Sequence, residues 1–114
     1  NVIILNQVPQ QKINPKFYYY LINLKSEKST NRINDLSLKR KEHESYQYYI
    51  KNLFDMNAEK YSNFYFLDFT DRFCNENCLF GGINSSYYLD DNHLSESGVK
   101  FLEKNLINFF NQIF

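Results

Sequence analysis

The chain has no tryptophan, one methionine, two prolines and three glycines in 114 residues, and no glycine precedes Gly81. This scarcity, set beside heavy use of Asn, Lys, Ile, Tyr and Phe, is the bias an AT-rich genome imposes, and it says nothing about activity. An excess of either charge sign is also missing, since thirteen Lys and Arg balance thirteen Asp and Glu. A neutral chain has no surplus of basic groups to collect phosphates, which removes the general electrostatic case for nucleic acid or an anionic membrane surface. The run Lys39-Arg40-Lys41 is therefore expected on a solvated helix face. No apolar stretch approaches the roughly 20 residues that span a bilayer. The nearest, Phe17-Tyr18-Tyr19-Tyr20-Leu21-Ile22, is too short and too rich in tyrosine. No basic segment precedes an apolar one at the start, so these residues contain no signal peptide.

What is present is aromatic and periodic. A hydrophobic content of 43% with 18% aromatics suffices for one modest core, hence one domain or part of one. Asn1-Val2-Ile3-Ile4-Leu5-Asn6-Gln7-Val8 reads as a buried strand over residues 1–8, ended by Pro9, which cannot continue an inner ladder. Such a strand needs neighbours on both sides, and the chain offers few. Residues 9–35, with Pro15 and many Asn and Ser, read as a long substrate-side loop, a length that is usually functional or mobile. From Ser37 to Lys60 a helical period returns, with Tyr46, Tyr49, Ile50, Leu53 and Phe54 on one face, as for a crossover helix packing on a sheet. Phe64-Tyr65-Phe66-Leu67-Asp68-Phe69 is the next strand by aromatic density. Residues 70–92 form a loop, and a last helix follows Ser95, with Val99, Leu102, Leu106, Phe109 and Ile113 at three- and four-residue steps. This order predicts an α/β fold with parallel strands and flanking helices.

One stretch carries chemistry: Tyr87-Tyr88-Leu89-Asp90-Asp91-Asn92-His93-Leu94-Ser95-Glu96-Ser97-Gly98. Asp90 stands three residues before His93 at the mouth of a helix. A carboxylate there can accept the Nδ1 proton of the imidazole and leave Nε2 to take a proton from a serine hydroxyl. In open α/β sheets ligands bind beyond the carboxyl ends of strands, so His93 is expected to face a cleft. The plainer alternative has Asp90, Asp91 and His93 serving only as charge and packing at a helix start. Ser95, just ahead of the periodic run, is expected to be an N-cap and not a nucleophile. His43, among charges, is expected on the surface. Asp68 is expected to cap the turn at Thr70 and Asp71, and the tyrosines 18–20 could stack on a sugar ring. Cys74 and Cys78 admit three readings: zinc ligands, although a second pair is missing, a local disulfide, or free thiols.

Asp90-x-x-His93 followed by Leu94-Ser95 and Gly98 resembles the last block of the SGNH hydrolases. With Asp68, Cys74, Cys78 and Tyr87-Tyr88 added, the set is similar to the SGNH domain fused to bacterial membrane acyltransferases of acyltransferase family 3. The resemblance implies a partial SGNH, flavodoxin-like three-layer fold in which residues 1–114 are the C-terminal portion of a single domain and the N-terminal half is missing. It implies a Ser-His-Asp mechanism with Asp90 and His93 as catalytic residues, an acyl donor and a cell-surface polysaccharide acceptor such as lipopolysaccharide or peptidoglycan, and no cofactor or metal. It further implies a fused transmembrane acyltransferase domain, an inner-membrane protein with this domain facing the periplasm or cell exterior, and, in that oxidising compartment, a Cys74–Cys78 disulfide. The chain departs from the family in two respects, for it lacks both the nucleophile block and the blocks whose Gly and Asn supply oxyanion-hole donors. No serine stands in a Gly-Asp-Ser setting after a strand, so the nucleophile is expected upstream and the chain alone is expected to be inactive. The rival expectation is an SGNH-derived module that has lost its nucleophile and only binds glycan.

Overall fold

The computed structural model describes residues 1–22, 31, 34–83 and 85–114. Strand β1 (Val2–Leu5) pairs in parallel with β2 (Phe64–Leu67), in a register running from Val2 opposite Phe64 to Leu5 opposite Leu67. The ladder gains one further bond at its end, from Asn6 N to the Leu67 carbonyl at 2.8 Å. β1 is thus shorter than the β-branched run suggested. The reason is local: the Asn6 side-chain oxygen accepts from Gln7 N at 3.0 Å, which turns the chain before Pro9.

The segment expected to be a loop over 9–35 contains helix α1 (Pro15–Ile22). Asn14 Oδ1 accepts from Phe17 N at 3.2 Å, so Asn14 is the cap and Pro15 the first helical residue, where its missing N–H costs nothing. Residues 23–30, 32 and 33 of the expected loop lie outside the described residues.

Helix α2 (Arg40–Lys60) links the two strands. Its entry is fixed by Glu42, whose Oε2 accepts from Lys39 N at 3.2 Å. The expected face does not turn inward. His43 is the buried residue of the helix, Gln47, Lys51 and Ala58 share its side, and Tyr46, Tyr49, Ile50 and Leu53 are exposed. These two stripes lie about a third of a turn apart on a 3.6-residue helix. Phe54, alone of the expected face, falls within the inner stripe and packs on Phe64 and Phe66, with ring centres 6.2 and 5.3 Å away. Arg40 is no free surface charge either. It is half-buried, donating through Nη1 to the Cys74 carbonyl at 2.9 Å and through Nε to Glu44 at 2.6 Å.

After β2 come the short helix α3 (Thr70–Phe73) and a small antiparallel hairpin, β3 (Gly81–Gly82) with β4 (Ser85–Ser86). Helix α4 (Glu96–Ile113) closes the described chain. It lies across the sheet from α2, with Phe109 edge-on to Tyr65 at 6.5 Å. Leu102 is buried as its period predicts, but Val99 is half exposed and Gly98 and Phe101 turn inward instead. A β-carbon at Gly98 would collide with the Tyr87 carbonyl oxygen, so only glycine lets the first turn of α4 seat on that segment.

The main core is off the sheet. Leu38, Phe69, Phe73, the two cysteines, Tyr88 and Leu102 are its buried members, with Val8, Leu67, Tyr87, Leu94, Phe101 and Leu106 packed around them. Tyr87 stacks on Phe101 at 4.4 Å, and the Arg72 guanidinium covers the Phe101 ring at 3.9 Å. A second cluster joins Phe80 to Ile13, Tyr18 and Tyr19. No described helix is long and apolar enough to cross a membrane.

Candidate active site

Both strands end in polar side chains that meet at their carboxyl ends. Asn6 Nδ2 donates to Asp68 Oδ1 at 3.2 Å, and the same oxygen accepts from Thr70 N at 3.0 Å and from the Thr70 hydroxyl at 2.7 Å. Asp68 therefore caps α3 as an Asx turn does. Burial alone would raise its carboxyl, but the Thr70 hydroxyl and amide and the Asn6 amide outweigh it and hold the group below the usual carboxylate range. The Thr70 hydroxyl has a single proton and gives it to Asp68, so at its 3.1 Å contact with His43 it accepts from Nε2–H. His43 is 1% exposed, not a surface residue, and burial pushes its pKa down. It is a packed neutral imidazole, in a sequence context that read as surface only because Arg40, Lys41, Glu42 and Glu44 surround it.

The acid–histidine pair sits on the neighbouring loop. Asp90 Oδ1 accepts from Asn92 N at 2.9 Å and from His93 N at 2.8 Å, folding residues 90–93 into a tight turn. That turn carries the imidazole round to Oδ2, with Nδ1 at 2.7 Å. Leu89 N bonds the His93 carbonyl at 2.8 Å, and Ser95 N bonds Tyr87 O at 2.9 Å, closing the turn from below. The amides of Asn92 and His93, then the imidazole, hold the Asp90 carboxyl down to about 2. At neutral pH it is ionised and can only accept, so Nδ1 carries the proton and Nε2 of the neutral ring is left as the acceptor. The pair is tethered to the end of β1 by Gln10 Nε2 donating to Asp91 Oδ2 at 2.9 Å and by Gln11 N donating to Asp91 O at 2.7 Å. Neither glutamine matches a motif or a periodic pattern, and sequence reasoning passed over both.

His93 does not lie in a cleft of the described residues: its side chain is 73% exposed and that of Asp90 45%. Nε2 meets no hydrogen-bonding partner among the described residues, and no described serine hydroxyl approaches it. Ser95 is the N-cap of α4, accepting from Gly98 N at 3.2 Å while its own proton goes to the Ser86 carbonyl at 2.6 Å. A groove of about 450 Å³ runs beside the loop, between Lys16, Tyr19, Ser85, Leu89 and Ser97.

Cys74 and Cys78 are joined by a disulfide with Cα atoms 4.0 Å apart, buried in the main core. With both sulfurs bridged, neither serves as a zinc thiolate. Of the tyrosines 18–20, Tyr19 donates to the Gly82 carbonyl at 2.9 Å, and burial pushes its hydroxyl up to about 12. Tyr18 and Tyr19 pack on Phe80, so they build the hairpin's support instead of an open stacking platform. The side chain of Tyr20 lies outside the described residues.

Among known families, the model of the SGNH domain (fused to AT3 domains) matches residues 1–108. Comparison with curated proteins and with solved structures gives no match.

Proposed function

The chain belongs to the SGNH domains that are fused to AT3 domains, and we propose that it carries the histidine and aspartate of an O-acyltransfer site acting on a bacterial cell-surface glycan. The observation that supports this most directly is the 2.7 Å contact of Asp90 Oδ2 with His93 Nδ1, on an exposed turn where Nε2 meets no partner among the described residues. In this reading a serine outside residues 1–114 attacks the acyl carbonyl while His93 Nε2 takes its proton. The same nitrogen returns the proton to the leaving oxygen. Asp90 holds the tautomer and stabilises the imidazolium formed in between. Acetyl is the expected acyl group, and a second attack by a sugar hydroxyl or by water completes transfer or hydrolysis.

Two surfaces support a serine supplied by further chain. Among the described residues β1 is hydrogen-bonded along one edge, with Val2 and Leu5 about half exposed, although parallel strands are ordinarily covered on both faces and paired on both sides. On α2, Tyr46, Tyr49, Ile50 and Leu53 form an apolar stripe open to solvent. A preceding strand and helix docked there would complete a three-layer domain and bring a serine to the carboxyl edge of the sheet. In the full protein the AT3 domain supplies a membrane anchor, and this domain works on the periplasmic or outer side, where the Cys74–Cys78 bridge is stable.

The test is made in the full-length protein. The reading frame should hold a Gly-Asp-Ser after a strand upstream of Asn1, and His93→Ala should cut acyl transfer by about 10³-fold or more, with Asp90→Asn close behind. Ser95→Ala is the control, costing about 1 kcal/mol of stability through the lost cap with turnover nearly unchanged. Residues 1–114 alone should not hydrolyse aryl acetates. Normal turnover in His93→Ala and Asp90→Asn would leave the pair structural, and an intact domain lacking any upstream serine would favour the glycan-binding module.

A further inference from the structure

Among the described residues, the hydrogen bonds that reach the turn at 89–93 from elsewhere in the chain come from Gln10 and Gln11. The two differ in kind. Gln10 is exposed and holds Asp91 through its side chain, whereas Gln11 is 2% exposed and holds the Asp91 carbonyl through its backbone. The Gln11 side chain is engaged at both ends of its amide. Oε1 accepts from Leu38 N at 3.0 Å, and Nε2 donates to the Cys78 carbonyl at 3.2 Å and the Leu79 carbonyl at 3.4 Å. Leu38 O in turn accepts from Cys78 N at 2.7 Å. A single buried amide thus locks together the entry to α2, the disulfide-bridged turn and the chain leaving β1, and its own N–H carries that rigidity to the Asp90–His93 turn.

We propose that Gln11 is a positioning residue for the acyltransfer site, setting the height of the Asp90–His93 turn above the carboxyl end of β1 through its bond to Asp91. The proposal rests on the catalytic reading of that pair. It explains how an exposed turn, with a histidine whose side chain has its only described partner three residues away, is held at one place while a nucleophile comes from another part of the domain. An apolar residue at 11 would fill the same space while leaving Leu38 N and the Cys78 carbonyl without partners. The amide is there to fix a backbone position.

Hydrogen exchange by mass spectrometry and steady-state kinetics on the full-length protein test this together. In Gln11→Met the peptide containing Asn92 and His93, whose amides close the turn, should exchange about tenfold faster, as expected for losing one buried hydrogen-bonded anchor. α4 should exchange at its native rate. Turnover should fall by about a hundredfold with KM nearly unchanged, because a misplaced base weakens the transition state and not substrate binding. Asn34→Leu is the comparison. Asn34 is another buried amide, bridging Phe80 N and Gly81 O with no bond to the turn, and its loss should leave that peptide at the native rate. Equal loosening in Asn34→Leu, a rise shared by α4, or no change at the turn would each overturn the proposal. If Gln11→Met does not fold, Gln11→Asn decides, since it keeps the amide and shortens its reach: exchange at the turn should rise about threefold, and an unchanged rate overturns the proposal. Turnover surviving in His93→Ala would sink the catalytic reading and leave the exchange result standing, so the two failures are distinguishable.

Discussion

Asp90 divides its two carboxylate oxygens between tasks, Oδ1 folding the turn and Oδ2 orienting the imidazole. The backbone amides contribute more to its acidity than the ring does, so His93→Ala should leave Asp90 titrating well below the ordinary 3.8. Carbon-detected NMR of the side-chain carboxyl measures this directly, and a return to 3.8 in that variant would mean that the imidazole alone sustains the acid. For an acid depressed in the folded state, the stabilisation is complete above the unfolded value and is lost as pH falls through about 2. His43 has the same dependence at higher pH. Its folded pKa lies below the ordinary 6.5, so the unfolded chain takes up a proton first, and stability should decline as pH falls below about 6.5. Urea midpoints across that window should slope in the native protein and flatten in His43→Gln. The Asp90–His93 pair was legible because its contact is local, three residues apart on one turn. The surroundings of His43 were not, because burial depends on how α2 is rotated over β2, and neighbouring charges say nothing about that.

At the scale of elements, α4 was the most readable, since Ser95, Gly98 and the apolar period act within one helix. α1 is hidden in a segment whose Pro15, Asn and Ser read as loop, whereas Asn14 ahead of Pro15 makes the pair a helix start. α2 shows the limit of periodicity, for its more apolar stripe is the outer one and its inner one includes His43, Gln47 and Lys51. The turn that closes at Cys74 and Cys78 is short, so the bridge should contribute about 2 kcal/mol in the chain-entropy account. Replacing both cysteines with alanine should lower stability by at least that much. Because the two residues are 2% and 0% exposed, alkylation should require reductant and denaturant together. Labelling by reductant alone, under native conditions, would show that the turn opens locally.

The whole molecule is more open than its length requires. Its radius of gyration is 15.2 Å, against about 13 Å for a compact domain of this size. The edge of β1 that no described residue pairs and the outer stripe of α2 are where further chain is proposed to dock. Tyr49→Lys with Leu53→Lys should therefore change the stability of residues 1–114 by less than about 0.5 kcal/mol. In the full-length protein the same pair should cost about 2 kcal/mol or more through lost burial. Equal effects in both, by thermal unfolding, would mean that nothing covers the stripe. The sequence by itself determined the charge balance, the order of β1, α2, β2 and α4, the family, and the Asp90–His93 turn, because each rests on composition or on contacts within a few residues. The tertiary structure alone decided which face of α2 is covered, that His43 is buried, that the sulfurs meet inside the core, and that Gln11 ties the turn to β1. Those outcomes depend on side chains from 27 to 80 residues apart competing for one interior, and no local pattern records which of them arrive.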